Sequence, residues 1–152
     1  MDNVGIVVND LKATIAFFVE LGLELEGEMT VEGQWVDRIV GLNGVQNDIA
    51  MMRTPDGHSK LEIMKFHTPT VIEGEPKNAP ANTLGIRRIM FAVTDINDTI
   101  ARLKKHGAEL IGEVVNYEDI YLLCYLRGPE GIMIALAEQL GEKSVKDVLR
   151  KS

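Results

Sequence analysis

The stretch "NVGIVVNDLKATIAFFVELGLELEGE", Asn3 to Glu28, decides the fold, because the chain carries it twice. Laid over "RIMFAVTDINDTIARLKKHGAELIGE", Arg88 to Glu113, at a constant offset of 85, it is identical at ten of 26 positions without a gap. The identities are Val8/Val93, Asp10/Asp95, Thr14/Thr99, Ile15/Ile100, Ala16/Ala101, Gly22/Gly107, Glu24/Glu109, Leu25/Leu110, Gly27/Gly112 and Glu28/Glu113. Chance at ordinary residue usage gives about two. The chain is a duplication, and its fold is a repeated unit.

Each copy predicts the same elements. A strand (Val4–Val8, Ile89–Val93) leads to an aspartate, Asp10 or Asp95, whose carboxylate suits the free amides at a helix start. Apolar residues at helical spacing follow, Leu11, Ile15 and Phe18 in one copy, Ile96, Ile100 and Leu103 in the other. Gly22 and Gly107 stand where a left-handed helix cap is wanted. Three more strands are expected in each half: Leu23–Val31, Asn47–Arg53 and Lys60–Phe66, then Glu109–Asn116, Tyr121–Leu126 and Ile132–Ala137. "TPDG" (Thr54–Gly57) and "GPEG" (Gly128–Gly131) are matched turns before each last strand. The fold class is α+β, two tandem βαβββ modules with mixed, curved sheets. The first module is residues 1–66, an aperiodic Pro- and Asn-rich linker is 67–84, and the second module is 85–138. The tail, 139–152, is expected to hold a short helix with Val145, Val148 and Leu149 on one face.

Bulk properties exclude several functions. A formal charge of -7, spread along 152 residues, counts against a nucleic-acid grip, which needs a basic face. The apolar runs are too short to cross a bilayer, and the start "MDNVGIVVND" has no basic and apolar leader regions. Cys124 is alone, so no intrachain disulfide forms and a cytoplasmic location is expected. In "YLLCYL" it reads as a small buried apolar residue. No G-x-S-x-G run and no P-loop is present.

In the stretch "LGIRRIMFAVTDIND", Leu84 to Asp98, a strand opens with two arginines. Alternation puts Arg87, Ile89, Phe91 and Val93 on an apolar core face, and Arg88, Met90 and Ala92 on the other. Arg88 is then either an exposed strand end or a charge set in a cavity. The duplicated modules, the "VGIVVNDLKATIAFF" opening, the "FAVTDI" start of the second module and the "GPEG" turn together resemble the vicinal oxygen chelate superfamily, the glyoxalase and bleomycin-resistance fold. The resemblance covers nearly the whole chain. It implies sheets curving round a central cleft, and a divalent metal held by His or Gln on the two first strands and Glu on the two last strands. Such a metal polarises vicinal oxygens of a substrate.

Carried over position by position, the four ligand places fall on Asn3, Glu62, Arg88 and Ala135. Only Glu62 is a competent ligand. A neutral amide oxygen is a poor donor for a transition ion, Arg88 places a fixed positive charge where the metal belongs, and Ala135 offers nothing. The metal site reads as degenerate, with no metal and no other cofactor expected. His58, His67 and His106 lack ligand spacing to a second His or Cys and read as surface residues. Arg88 is expected either to pair with Glu62 across the cleft or to bind an anionic oxygen of a ligand.

The segment "EGQWVDRIVGLNG" has no counterpart in the second half. Trp35, with Arg38, Val36, Ile39 and Leu42, is expected to form a short helix. Trp35 and Arg38 either meet an aromatic or anionic ligand at the cleft mouth, or are core filler and solvated charge. Met64, Met90 and Met133 share the parity of the ligand positions on their strands, which suits a soft-walled cavity or ordinary core.

The reading is a glyoxalase/bleomycin-resistance-type protein that binds a small organic, anionic or aromatic ligand through Arg88, Glu62, Asn3, Arg38 and Trp35. The alternative is a glyoxalase- or epimerase-like lyase or isomerase using Zn, Ni, Mn or Mg, with Glu62 as metal ligand or base. A homodimer is expected, because the family often completes its clefts that way.

Overall fold

The structure, a computed structural model, describes residues 1–74 and 76–141. The tail with Val145, Val148 and Leu149 lies outside the described residues. The chain divides into two compact units, Met1–Lys77 and Asn78–Ser152.

The first unit runs β1 (Val4–Val7), α1 (Leu11–Leu21), β2 (Glu24–Glu32), α2 (Gln34–Val40), β3 (Gln46–Arg53) and β4 (Lys60–Thr68). Its sheet has the order β1-β4-β3-β2, with β1 parallel to β4 and the other pairs antiparallel. The second unit runs β5 (Arg88–Val93), α3 (Ile96–Lys104), β6 (Glu109–Leu110), β7 (Val115–Tyr117), β8 (Tyr121–Arg127) and β9 (Met133–Gln139). There β5 is parallel to β9, β9 antiparallel to β8, and both β6 and β7 pair with β8. These are two βαβββ modules with mixed sheets, as the duplication predicts. β4 reaches Thr68 and β9 reaches Gln139, slightly past the expected strand ends. No helix among the described residues is long and apolar enough to cross a membrane.

The repeated residues make repeated local structure. The Asp10 carboxylate accepts from the Ala13 amide at 3.0 Å, and that of Asp95 from the Asp98 amide at 3.0 Å. Thr14 and Thr99 are buried one turn on, where each hydroxyl donates to the carbonyl of its aspartate, at 2.7 and 2.8 Å. A threonine can be buried there because its one donor is satisfied locally. Gly22 closes α1 at φ 122°, its amide shared between the Phe18 and Val19 carbonyls.

The buried residues of α1 are Thr14, Phe17, Phe18 and Leu21; of the expected Leu11, Ile15 and Phe18, Phe18 is buried and the other two are only half-buried. The adjacent rings Phe17 and Phe18 pack edge to face, centroids 5.2 Å apart, and so rotate the helix toward them. In α3, where position 17 is answered by Arg102, the buried set is Ile96, Thr99, Ile100 and Leu103. Each helix packs on one face of its own sheet, over buried Met52, Leu61 and Ile63 in the first unit and Ile134 and Leu136 in the second.

One expected strand is broken. Glu109–Asn116 forms two short pieces, β6 and β7, with residues 111–114 unpaired as ladder. The same place in the first unit is a register shift between Leu25 and Gly27 in β2. Gly27 and Gly112 are duplicates, and a glycine inside a strand favours such an irregularity.

Candidate functional site

On the first sheet the face away from α1 carries Glu62. The side chain projects from β4 between Gly5 of β1 and Met51 of β3, half-buried, with Met64 and Phe66 further along its strand. Gly5 keeps this row open: a Cβ there would lie 3.0 Å from the Met64 Cε. Asn3 lies just ahead of β1, and its side-chain amide donates to Asp2 Oδ2 at 2.8 Å.

α2 covers the other end of this face, where Val36 joins Val31 and Val45 over Ile49 and Phe66. The Asp37 carboxylate fixes the segment by accepting from the Gly44 and Val45 amides, at 3.0 and 2.8 Å. The helix expected around Trp35 is therefore present, but Trp35 is 56% exposed and Arg38 is exposed, so Trp35 is not core filler. Under this cluster Asn47 is 2% exposed, and its Oδ1 has no hydrogen-bond partner.

On the second sheet, the register sets out the face opposite α3 in rows across β5, β9 and β8: Arg88–Met133–Arg127, then Met90–Ala135–Tyr125, then Ala92–Ala137–Leu123. Arg88 and Met90 are exposed and Ala135 is fully buried. The Arg88 guanidinium carbon lies 5.1 Å from the centre of the Tyr125 ring. Arg88 is thus an exposed strand-end charge stacked on an aromatic face, one row from the buried Ala135. Arg127 turns its guanidinium to backbone instead, donating to the Gly131 carbonyl at 3.2 Å and the Ala79 carbonyl at 3.0 Å.

Tyr125 was not among the residues singled out from sequence. A signal existed: Tyr121 and Tyr125 are spaced by four within one expected strand, which places them on one side.

The donor set does not fit the family's metal. The first unit offers Glu62 and an amide, and the second offers a guanidinium and a methyl group. Among the described residues no three His, Cys, Asp or Glu side chains come together. His67 is engaged elsewhere, its Nε2 donating to Asp48 Oδ2 at 2.7 Å. That bond, with the Thr30 hydroxyl donating at 2.6 Å, holds the Asp48 carboxyl below its usual range. Cys124 is buried in the second core, and burial pushes its thiol up, away from nucleophilic use.

Comparison with known proteins agrees with this architecture. The sequence profile of the Glyoxalase/Bleomycin resistance protein/Dioxygenase superfamily matches residues 2–125, and the chain belongs to that superfamily. A crystal structure of a glyoxalase family protein from Bacillus cereus is 56% identical, with a TM-score of 0.89 over 93% of this chain and 94% of its own. The YwbC protein of Bacillus subtilis, described as uncharacterized, is 28% identical over 134 residues, 86% of this chain and 90% of YwbC. The trypanothione-dependent glyoxalase I of Leishmania major shares the fold at 19% identity, with a TM-score of 0.64 over 99% of this chain and 90% of its own.

Proposed function

We propose that this chain is a metal-independent binding member of the superfamily that takes a small organic anion, preferably an aromatic acid, with Arg88 as the anion contact. The observation that carries this reading is the guanidinium stacked on Tyr125, whose ladder partner is Ala135; the resemblance assigns a glutamate to that position. A stacked guanidinium is held in place while its N–H edge stays available for a carboxylate or enolate-like oxygen. Nothing among the described residues supplies Arg88 with a carboxylate partner, and Met90 and Tyr125 give an apolar bed beside the charge.

Within the first unit, Glu62 stands half-buried beside Met64 and Met51 and is a separate candidate acceptor for a ligand donor. Trp35 and Arg38, exposed on α2 of the same unit, are candidate ligand contacts there. The competing function, a metal-dependent glyoxalase- or epimerase-like lyase or isomerase, relies on Glu62 as ligand or base.

The test is titration of benzoate into the protein by calorimetry, together with metal analysis of protein purified without chelators. Arg88→Ala is expected to weaken benzoate at least tenfold, the loss typical of a charge-assisted contact of about 1.5–3 kcal/mol. Arg88→Lys is expected to recover part of it. Stoichiometric metal that disappears in Glu62→Ala, with benzoate indifferent to Arg88, establishes the competing function instead.

A further inference from the structure

We propose that the open face of the second sheet carries a second, aromatic subsite at Tyr117 and Tyr121, so that the ligand is an elongated two-ring acid. This deepens the reading of Arg88 as anion contact and rests on it. All three tyrosines of the chain project from this one face. Tyr121 lies directly across from Tyr117 in the β7–β8 ladder, and Tyr125 is four residues further along β8. The two aromatic sites are therefore about 13 Å apart along the strand. Between them β9 and β5 contribute only Ala137 and Ala92, with Leu123 on β8. Small side chains between tall rings leave a trough. One benzoate ring at Arg88 and Tyr125 leaves its far end empty, whereas two rings joined by a linker of matching length reach both sites.

Charge gives the trough a direction. Arg88 and Arg127 share the row at one end. At the other, Tyr117 runs into a tight turn through Glu118 and Asp119, both in left-handed backbone at φ 49° and 57°. That turn is pinned by the Ile120 amide donating to the Tyr117 carbonyl at 2.9 Å, and by the Asp119 amide donating to Asn116 Oδ1 at 2.9 Å. It fixes Tyr117 against Tyr121 and sets two carboxylates beside the pair. An anionic group is favoured at the arginine end and disfavoured at the tyrosine end, so the distal ring is uncharged.

The experiment compares, by calorimetry, the Kd of benzoate and of 4-(6-phenylhexyloxy)benzoate, whose linker lets the second ring reach about 13 Å from the first. In the wild type the two-ring acid is expected to bind roughly tenfold tighter, from ring–ring contact and added apolar burial. Tyr121→Ala is expected to bring the ratio of the two Kd values toward one, Tyr121→Phe to preserve it, and Arg88→Ala to weaken both acids. A wild-type ratio near one, or a ratio that Tyr121→Ala leaves intact, overturns the subsite while the Arg88 reading stands. Sedimentation showing a dimer that Tyr121→Ala splits also overturns it, because a second copy then covers the face. If neither acid binds, or Arg88→Ala changes nothing, the anion reading itself fails and the subsite falls with it.

Discussion

Asn47 buries an amide whose oxygen finds no donor, amid Val31 and Phe66, its neighbours on the two flanking strands. A buried acceptor left alone costs about 1–3 kcal/mol, and an apolar side chain of similar size escapes that cost. Asn47→Leu is therefore expected to stabilise the protein by about 1 kcal/mol, seen as a higher urea midpoint at unchanged slope. A loss of similar size would mean that a buried water bridges the amide. Arg88 obeys a different rule. Its charge is tolerable because it stays exposed on the sheet face and rests on Tyr125, where an ammonium would stack less well.

The helices show how far a local signal reaches. Asp95 was readable as a cap from sequence, and its loss in Asp95→Ala is expected to cost about 1 kcal/mol in thermal or urea unfolding. The cost stays at that level because the Ile96 amide keeps a second acceptor, Glu138 Oε1 at 2.8 Å. A cost well above 2 kcal/mol would show that α3 depends on Asp95 alone. Glu138 as a cap was not legible, since only the pairing of β5 with β9 brings it to the helix start. The module order, strand parity and glycine turns were legible because each depends on residues close in sequence. The rotation of α1 toward Phe17, the break after Leu110 and the stacking of Arg88 on Tyr125 were not, because each is set by a neighbour brought up from another strand or chosen between adjacent apolar residues. For the site, the face on which each residue stands followed from alternation. What stands beside it required the register.

Across the whole molecule the two units carry opposite pH liabilities. In the first, Asp48 is held below the usual carboxylate range by His67 and Thr30, with Lys65 adding charge attraction. Asp56 is held low by the Thr54 hydroxyl and the His58 amide. A carboxylate lowered in the folded state contributes stability that is present above its unfolded pKa and is lost as pH falls through the folded value, so this loss begins below about pH 4. In the second unit the buried Cys124 thiol is raised. A raised thiol contributes stability that is present below its unfolded value, near pH 8.5–9, and is lost as pH rises through the folded one. Hydrogen exchange followed element by element is therefore expected to show β3 and β4 losing protection first in acid, and β8 and β9 first in alkali. Asp48→Asn is expected to flatten the acid limb and Cys124→Ala the alkaline limb, each leaving the other in place. If both sheets instead lose protection together at each extreme, the two units unfold as one body, and a proton taken up in either is felt by both.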